Sequence, residues 1–328
     1  GDQQASDRVE VTCYAKGPVV RAEACADDKY AALDVVLDKL YERLRATVEG
    51  MLGAHLLGFQ SEPDVERFCA AASELCGARR EGAFLRHSSG RSRVAALPVG
   101  VDFDDVRAAG EAGVLPDDVR TVAGSGLPLV VGLERADFTK GIPERLDAVR
   151  HLFDQSRPFA YIGVAAPTRE GVAAYTRLRK AIDDGAARAA QAAVQSGGRF
   201  LQLREILPWS AVIALQRTAD VVFTSSLADG MNLVPLQAIA AQSDLDYDER
   251  GIVITGRDAG VAATLSSFGR EGLIAVDPLD PKAMVDTLSQ AVQGRFRPVS
   301  DRLVEAVRSN DAHAWGTRFL SMLEDAQC

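Results

Sequence analysis

The chain has 328 residues, room for two domains at about 150 residues each. Hydrophobic residues make up 47% and charged residues 25%, which excludes wholesale disorder and provides for a sizeable core. With 37 basic against 46 acidic residues the net charge is −9, which disfavours a generic nucleic-acid or membrane-surface binder but leaves room for a local basic pocket facing a small anion.

Residues 8–14 alternate like a strand, Lys16-Gly17-Pro18 marks a turn, and residues 19–24 read as a second strand, so a hairpin is expected. Asp27-Asp28 then caps a helix over about 29–47, with Leu33, Val36, Leu37, Leu40 and Leu44 at helical spacing. A separate unit follows: a short strand at 55–59, a helix over about 63–75 capped by Ser61, and a strand at 94–100. The intervening stretch 77–92, with arginines from Arg79 onward, reads as a solvated loop, and 117–126 reads as a polar linker.

From residue 127 strands and helices alternate. Apolar runs lie at 129–133, 159–164, 200–203, 221–224, 252–255 and 273–276, with helical patterns at 143–153, 169–194, 209–218, 232–242, 259–265 and 281–293. This rhythm predicts an α/β fold with a doubly wound parallel sheet. Such sheets bind ligands outside the carboxyl ends of their strands, in the loops that open the helices. Residues 301–327 read as helical.

The cysteines, Cys13, Cys25, Cys69, Cys76 and Cys328, are odd in number and form no C-x-x-C pair, so reduced thiols in a cytoplasmic protein are expected. Cys328 is not four residues from the end, so no prenylation box is expected. No apolar run approaches the ~18–20 residues of a membrane span, and the Gly-Asp-Gln-Gln start does not resemble a signal peptide. His55, His87, His151 and His313 show no metal-ligand spacing, so neither a metal nor a cofactor is expected. Gly-x-Ser-x-Gly, P-loop and Gly-x-Gly-x-x-Gly motifs are absent.

Two strand-to-helix loops carry the chemistry. The first, residues 134–143, places Arg135 and Lys140 before Gly141 and a proline-initiated helix. Dipole, free amides and fixed charge there favour a diphosphate. The alternative is an exposed basic loop in which Arg135 pairs with Glu134 or Asp137. The second loop, residues 225–234, contains Asp229, Gly230, Met231, Asn232, Leu233 and Val234. Its carboxylate and amides suit sugar hydroxyls and a leaving phosphate; the alternative is an ordinary Asp-Gly turn and helix cap. Trp209 reads either as a platform for a ligand base or as a packing residue.

The segment from Arg135 to Arg145 (Arg-Ala-Asp-Phe-Thr-Lys-Gly-Ile-Pro-Glu-Arg), Ala166-Pro-Thr-Arg169 with Tyr175, and Asp229-Gly-Met-Asn-Leu-Val234 with Ala240-Ala-Gln242 together resemble retaining glycosyltransferases of the trehalose-6-phosphate synthase family. Ala259-Gly260, Trp315 and Arg318-Phe-Leu320 extend the likeness, and Leu56-Leu-Gly-Phe-Gln60 and Leu97-Pro-Val-Gly-Val101 are similar to the end of that family's first lobe, so it covers about 51–325. The resemblance implies a GT-B fold and glucosyl transfer from UDP- or GDP-glucose to glucose 6-phosphate. Arg135, Lys140 and Asp229 would be catalytic; Arg135, Lys140, Gly230, Met231, Asn232, Leu233, Val234 and Gln237 would hold the donor. No metal, nucleic acid or membrane partner is implied, and a homo-oligomer is compatible with it. The alternatives are glucosylglycerol-phosphate or pseudoglycosyl synthesis and a non-catalytic nucleotide-sugar binder.

Leu236-Gln237 replaces the family's Lys-Glu, so the charge toward the ribose is lost while a hydrogen bond remains available. Ala228 replaces an Arg, Gly256-Arg-Asp258 a Ser-Glu-Phe. Val9-Glu-Val-Thr12, residues 16–24 and residues 27–31 resemble the middle of a ribosome hibernation-promoting factor over about 7–48, which implies two strands and one helix of that domain and a ribosome-associated reading. The expected organisation is therefore a hairpin-helix segment at 1–50, a remnant of the first lobe at 51–120, a nucleotide-sugar-binding lobe at 121–300 and a terminal helix at 301–328.

Overall fold

The computed structural model describes the backbone of residues 7–13, 20–26, 29–169 and 171–327, and side chains from residue 33 to 326 except 170. The turn expected at Lys16-Gly17-Pro18, the cap expected at Asp27-Asp28, and Cys328 lie outside the described residues. The chain divides into two compact units, one made of residues 1–98 with 316–328 and the other of residues 99–315.

In the first unit β1 (Asp7–Cys13) and β2 (Val20–Ala26) pair antiparallel, with Asp7 opposite Ala26 and Cys13 opposite Val20. Helix α1 (Lys29–Met51) runs past the expected residue 47 because Val48 and the following Leu52 enter a core with Val65, Phe68 and Leu85. Next come β3 (Leu56–Phe59) and α2 (Glu62–Cys76), whose Ser61 side chain accepts from the Asp64 amide as the sequence predicts. The stretch read as a solvated loop is a correction. It forms β4 (Arg79–Glu81), β5 (Phe84–His87) and the start of β6 (Gly90–Ala96). The sheet order is β3-β6-β5-β4, with β3 and β6 parallel and the other neighbours antiparallel. Leu85, Ser92 and Val94 are buried, while Arg79, Arg86 and Arg91 stand opposite one another in register. Strand alternation thus hides a half-buried sheet inside an arginine-rich composition.

In the second unit α3 (Phe103–Ala112) and α4 (Asp117–Ala123) precede the alternating region. The expected linker is therefore helical in its first half: Val119 is fully buried beside Phe103 and Val106. The strands are β7 (Leu129–Arg135), β8 (Ala160–Ala166), β9 (Arg199–Leu203), β10 (Val221–Phe223), β11 (Ile252–Gly256) and β12 (Leu273–Val276). The helices among them are α5 (Ile142–Asp154), α6 (Ala173–Ser196), α7 (Trp209–Arg217), α8 (Leu233–Ala241), α9 (Gly260–Thr264) and α10 (Pro281–Val292). The expected final helix is two, α11 (Asp301–Ser309) and α12 (Ala312–Gln327), broken at Asn310-Asp311.

All six strands are parallel, in the order β9-β8-β7-β10-β11-β12. Six of the seven residues of β7 and of β8 are buried, as in a sheet covered on both faces. Leu129, Val131 and Leu133 face one core while Val130 faces the other, with Phe153, Phe159 and Phe223. The strand order reverses between β7 and β10, so the loops leaving these two strands flank the crevice where doubly wound sheets hold ligands.

Candidate active site

Both loops singled out in the sequence leave the switch point. After β7, a 3-10 turn at Phe138–Lys140 is capped by Asp137, whose carboxylate accepts from the Thr139 amide at 3.3 Å. Gly141 follows with φ +59°, and a Cβ there would lie 2.2 Å from the Ser225 carbonyl oxygen. Glycine therefore lets the two loops touch. They are stitched by Ser225 Oγ donating to the Lys140 and Gly141 carbonyls at 2.9 and 2.8 Å, and by the Leu227 amide donating to Thr139 O at 2.7 Å. On the far side of the second loop, the Gly260 amide donates to the Asp229 carbonyl at 2.9 Å.

This stitching brings the candidate catalytic residues together. Lys140 Nζ lies 2.5 Å from Asp229 Oδ2, with the side chains 13% and 16% exposed. Arg135, the last residue of β7, is exposed and has no ion pair among the described residues. The alternative pairings of Arg135 do not form: Glu134 is held by Arg145, and Asp137 accepts from Tyr175 at 3.2 Å. Arg169 donates to the Tyr175 hydroxyl at 2.6 Å. Burial and the neighbouring Asp137 push the Tyr175 phenol above its ordinary pKa, with Arg169 pulling the other way.

A cleft of about 240 Å³ opens beside these residues. Its lining combines the charged Glu134, Arg135 and Lys140 with the apolar Leu133, Val164, Ile206, Leu207, Val212 and Val234. Such a cleft has a place for a diphosphate and, next to it, one for a planar apolar-faced group. Val234, one of the residues the resemblance assigns to the donor, lines this cleft. Asn232 caps α8, its Oδ1 accepting from the Val234 amide at 3.1 Å. Met231 and Leu233 are partly buried and pack against the core. Gln237 Oε1 faces Gln216 Nε2 at 3.5 Å. Trp209, at the start of α7, is 45% exposed and does not line the cleft. Sequence reasoning missed Ile206, Leu207 and Val212; the apolar pair Ile206-Leu207 directly before Pro208, in a strand-to-helix loop, is the signal the sequence carries. It also missed the ion pair of Glu134, which itself lines the cleft, with Arg145; both side chains are fully buried. Burial opposes the Arg145 charge, but Tyr161 and Glu134 outweigh it and hold the guanidinium pKa above its ordinary value. Among the described residues no group of three or more His, Cys, Asp or Glu could hold a metal ion.

Cations and helix N-termini thus meet at the switch point of a parallel α/β sheet, the place where such sheets hold ligands. The profile of glycosyltransferase family 20 matches residues 40–325, and the chain belongs to that family. A second profile, sigma 54 modulation protein / S30EA ribosomal protein, matches residues 3–50. A trehalose-6-phosphate synthase of a Mycobacterium species is 28% identical over 302 residues, covering 85% of this chain and 60% of the relative. A UDP-forming alpha,alpha-trehalose-phosphate synthase from Burkholderia xenovorans, solved with glucose-6-phosphate, superposes with a TM-score of 0.75 at 27% identity, over 85% of this chain and 62% of that one. An Escherichia coli structure bound with UDP-2-fluoro glucose gives a TM-score of 0.73 at 26% identity, over 87% and 62%. The chain therefore spans about 60% of the length of these relatives.

Proposed function

We propose that this chain carries the donor site of a retaining glucosyltransferase that moves glucose from UDP-glucose to glucose 6-phosphate, forming trehalose 6-phosphate. The observation that carries the reading is Arg135 and Lys140 together in the lining of the switch-point cleft, with Asp229 against Lys140. UDP is preferred to GDP because the relatives above are named UDP-forming or are bound to a UDP sugar. In this reading the cations hold the diphosphate and Val234 with Ile206 and Leu207 hold the base. The arriving diphosphate takes over Lys140, and Asp229 becomes free to accept from glucose hydroxyls. When the glucosyl C1–O bond breaks, its electron pair goes to the diphosphate oxygen, where Arg135 and Lys140 stabilise it. The acceptor hydroxyl oxygen bonds to C1, and its proton leaves with the diphosphate. The reaction takes place in the cytoplasm, in keeping with Cys69 and Cys76, which are free thiols.

Isothermal titration of the chain with UDP and with GDP tests the donor site. UDP should bind, and more tightly than GDP. A folded sample that binds neither overturns the reading.

A further inference from the structure

Glu134 lines the cleft, and its side chain and that of Arg145 are completely buried and paired. Burying a charge pair is expensive, and an apolar pair of similar volume is often as stable or more so. The space for it is built in. A Cβ on Gly132 would lie 2.6 Å from Arg145 Nε. That nitrogen donates to the Tyr161 hydroxyl at 3.2 Å, and Nη1 also reaches Phe223 O and Ser225 Oγ, each at 3.3 Å. Arg145 thereby joins α5, β8, β10 and the second loop around one carboxylate.

The other oxygen of that carboxylate points at the site. Glu134 Oε1 accepts from Ser226 Oγ at 3.2 Å and from Asn232 Nδ2 at 3.4 Å. Asn232 Nδ2 also donates to Ser226 Oγ at 3.1 Å, and Ser226 Oγ lies 3.5 Å from Asp229 Oδ2. Glu134 is thus tied to the cap of α8 and, through Ser226, to the Asp229 carboxylate. Arg135 meets this network through the backbone only, and Lys140 meets it at Asp229 Oδ2, the contact that the arriving diphosphate takes over.

We infer that Glu134 is a positioning residue for the sugar half of the donor, holding Asp229 and the amide end of α8 in place while leaving the diphosphate contacts to Arg135 and Lys140. The inference rests on the donor-site reading proposed above. Arg145 compensates the buried charge, and Oε1 does the positioning.

Two charge-neutral double variants separate these roles. Glu134→Gln/Arg145→Met keeps an oxygen acceptor for Ser226 and Asn232. Glu134→Leu/Arg145→Met removes it. Both are measured by calorimetry with UDP and with UDP-glucose, alongside their melting curves. UDP affinity should stay within about threefold of the parent in both, since the diphosphate contacts are intact. The ratio of UDP-glucose to UDP affinity should fall about tenfold in the Leu double and be preserved in the Gln double. Merely structural damage would lower both affinities together. Ser226→Ala leaves the ion pair in place and serves if the doubles fail to fold; there the ratio should fall about threefold. An unchanged ratio in the Leu double or, failing that, in Ser226→Ala overturns the inference. A parent chain that binds no UDP overturns the donor-site reading itself, and this inference with it.

Discussion

Arg135 and Lys140 sit in the same loop but in different surroundings, and substitutions should separate them. Lys140 is mostly buried against Asp229, whereas Arg135 is exposed with no ion pair among the described residues. Either replacement by alanine should weaken UDP binding by about 1.5–3 kcal/mol, the scale of a charged hydrogen bond, or roughly tenfold to a hundredfold. Only Lys140→Ala should also lower the melting temperature of the ligand-free chain, because it leaves Asp229 without its partner. Calorimetry and thermal melts on both variants check this; equal melting temperatures would show that the Lys140–Asp229 pair adds nothing to stability. The residues read most readily in the sequence were those in strand-to-helix loops, where position alone confers a role. Glu134 and Arg145 were not legible in this way. The partners of Glu134 come from the second loop, 92 and 98 residues away, and no spacing rule links them.

At the scale of elements, the buried parallel strands were legible because a strand covered on both faces is written as an unbroken apolar run. Helix α4 and the β4–β5 hairpin were not, because each buries little: Val119 alone in α4, Leu85 alone in the hairpin, amid charged neighbours. Packing of α7 against α8 adds a feature that periodicity does not show. Arg217, at the end of α7, donates to the Ala241 carbonyl at 2.6 Å, completing the last turn of α8, and pairs with Asp244. Burial would raise the Asp244 pKa, but hydrogen bonds with Arg217, Glu111 and the backbone, with the Arg217 charge, together outweigh it and hold the carboxyl below its ordinary value. A depressed folded-state pKa contributes stability that is present above the unfolded value, near 3.9, and is lost as pH falls through the folded one. Asp244→Asn should therefore cost about 0.5–1 kcal/mol at pH 7, the screened value for a partly exposed pair. The gap in melting temperature should hold from pH 7 to about 5 and close as the pH drops below about 4. Melts across that range check it; a gap that widens on acidification would assign the effect to something other than this carboxylate.

At the scale of the whole molecule, the donor residues all belong to one unit, residues 99–315, and the family profile begins only at residue 40. The chain spans about 60% of the length of its relatives. In the proposed reading Arg135, Lys140 and Asp229 hold the diphosphate and touch the sugar of the donor. Transfer needs a second substrate aligned with the first, and alignment of two reactants supplies about 7–11 kcal/mol of barrier reduction. No group in these residues has been assigned to the acceptor phosphate. His87, the histidine of the first unit's hairpin, has its ring nitrogens 2.9 Å from Ser89 Oγ and 3.1 Å from Ser92 Oγ. Stabilisation of the leaving diphosphate survives without the acceptor, and water is then the available nucleophile. These 328 residues by themselves should therefore bind UDP-glucose, hydrolyse it slowly, and transfer glucose to glucose 6-phosphate at least tenfold more slowly than a full-length family enzyme. The assay follows labelled glucose from UDP-glucose into trehalose 6-phosphate and into free glucose, with such an enzyme run in parallel. Transfer within tenfold of that control would mean that residues 1–98 supply an acceptor site by means other than the family's own first lobe.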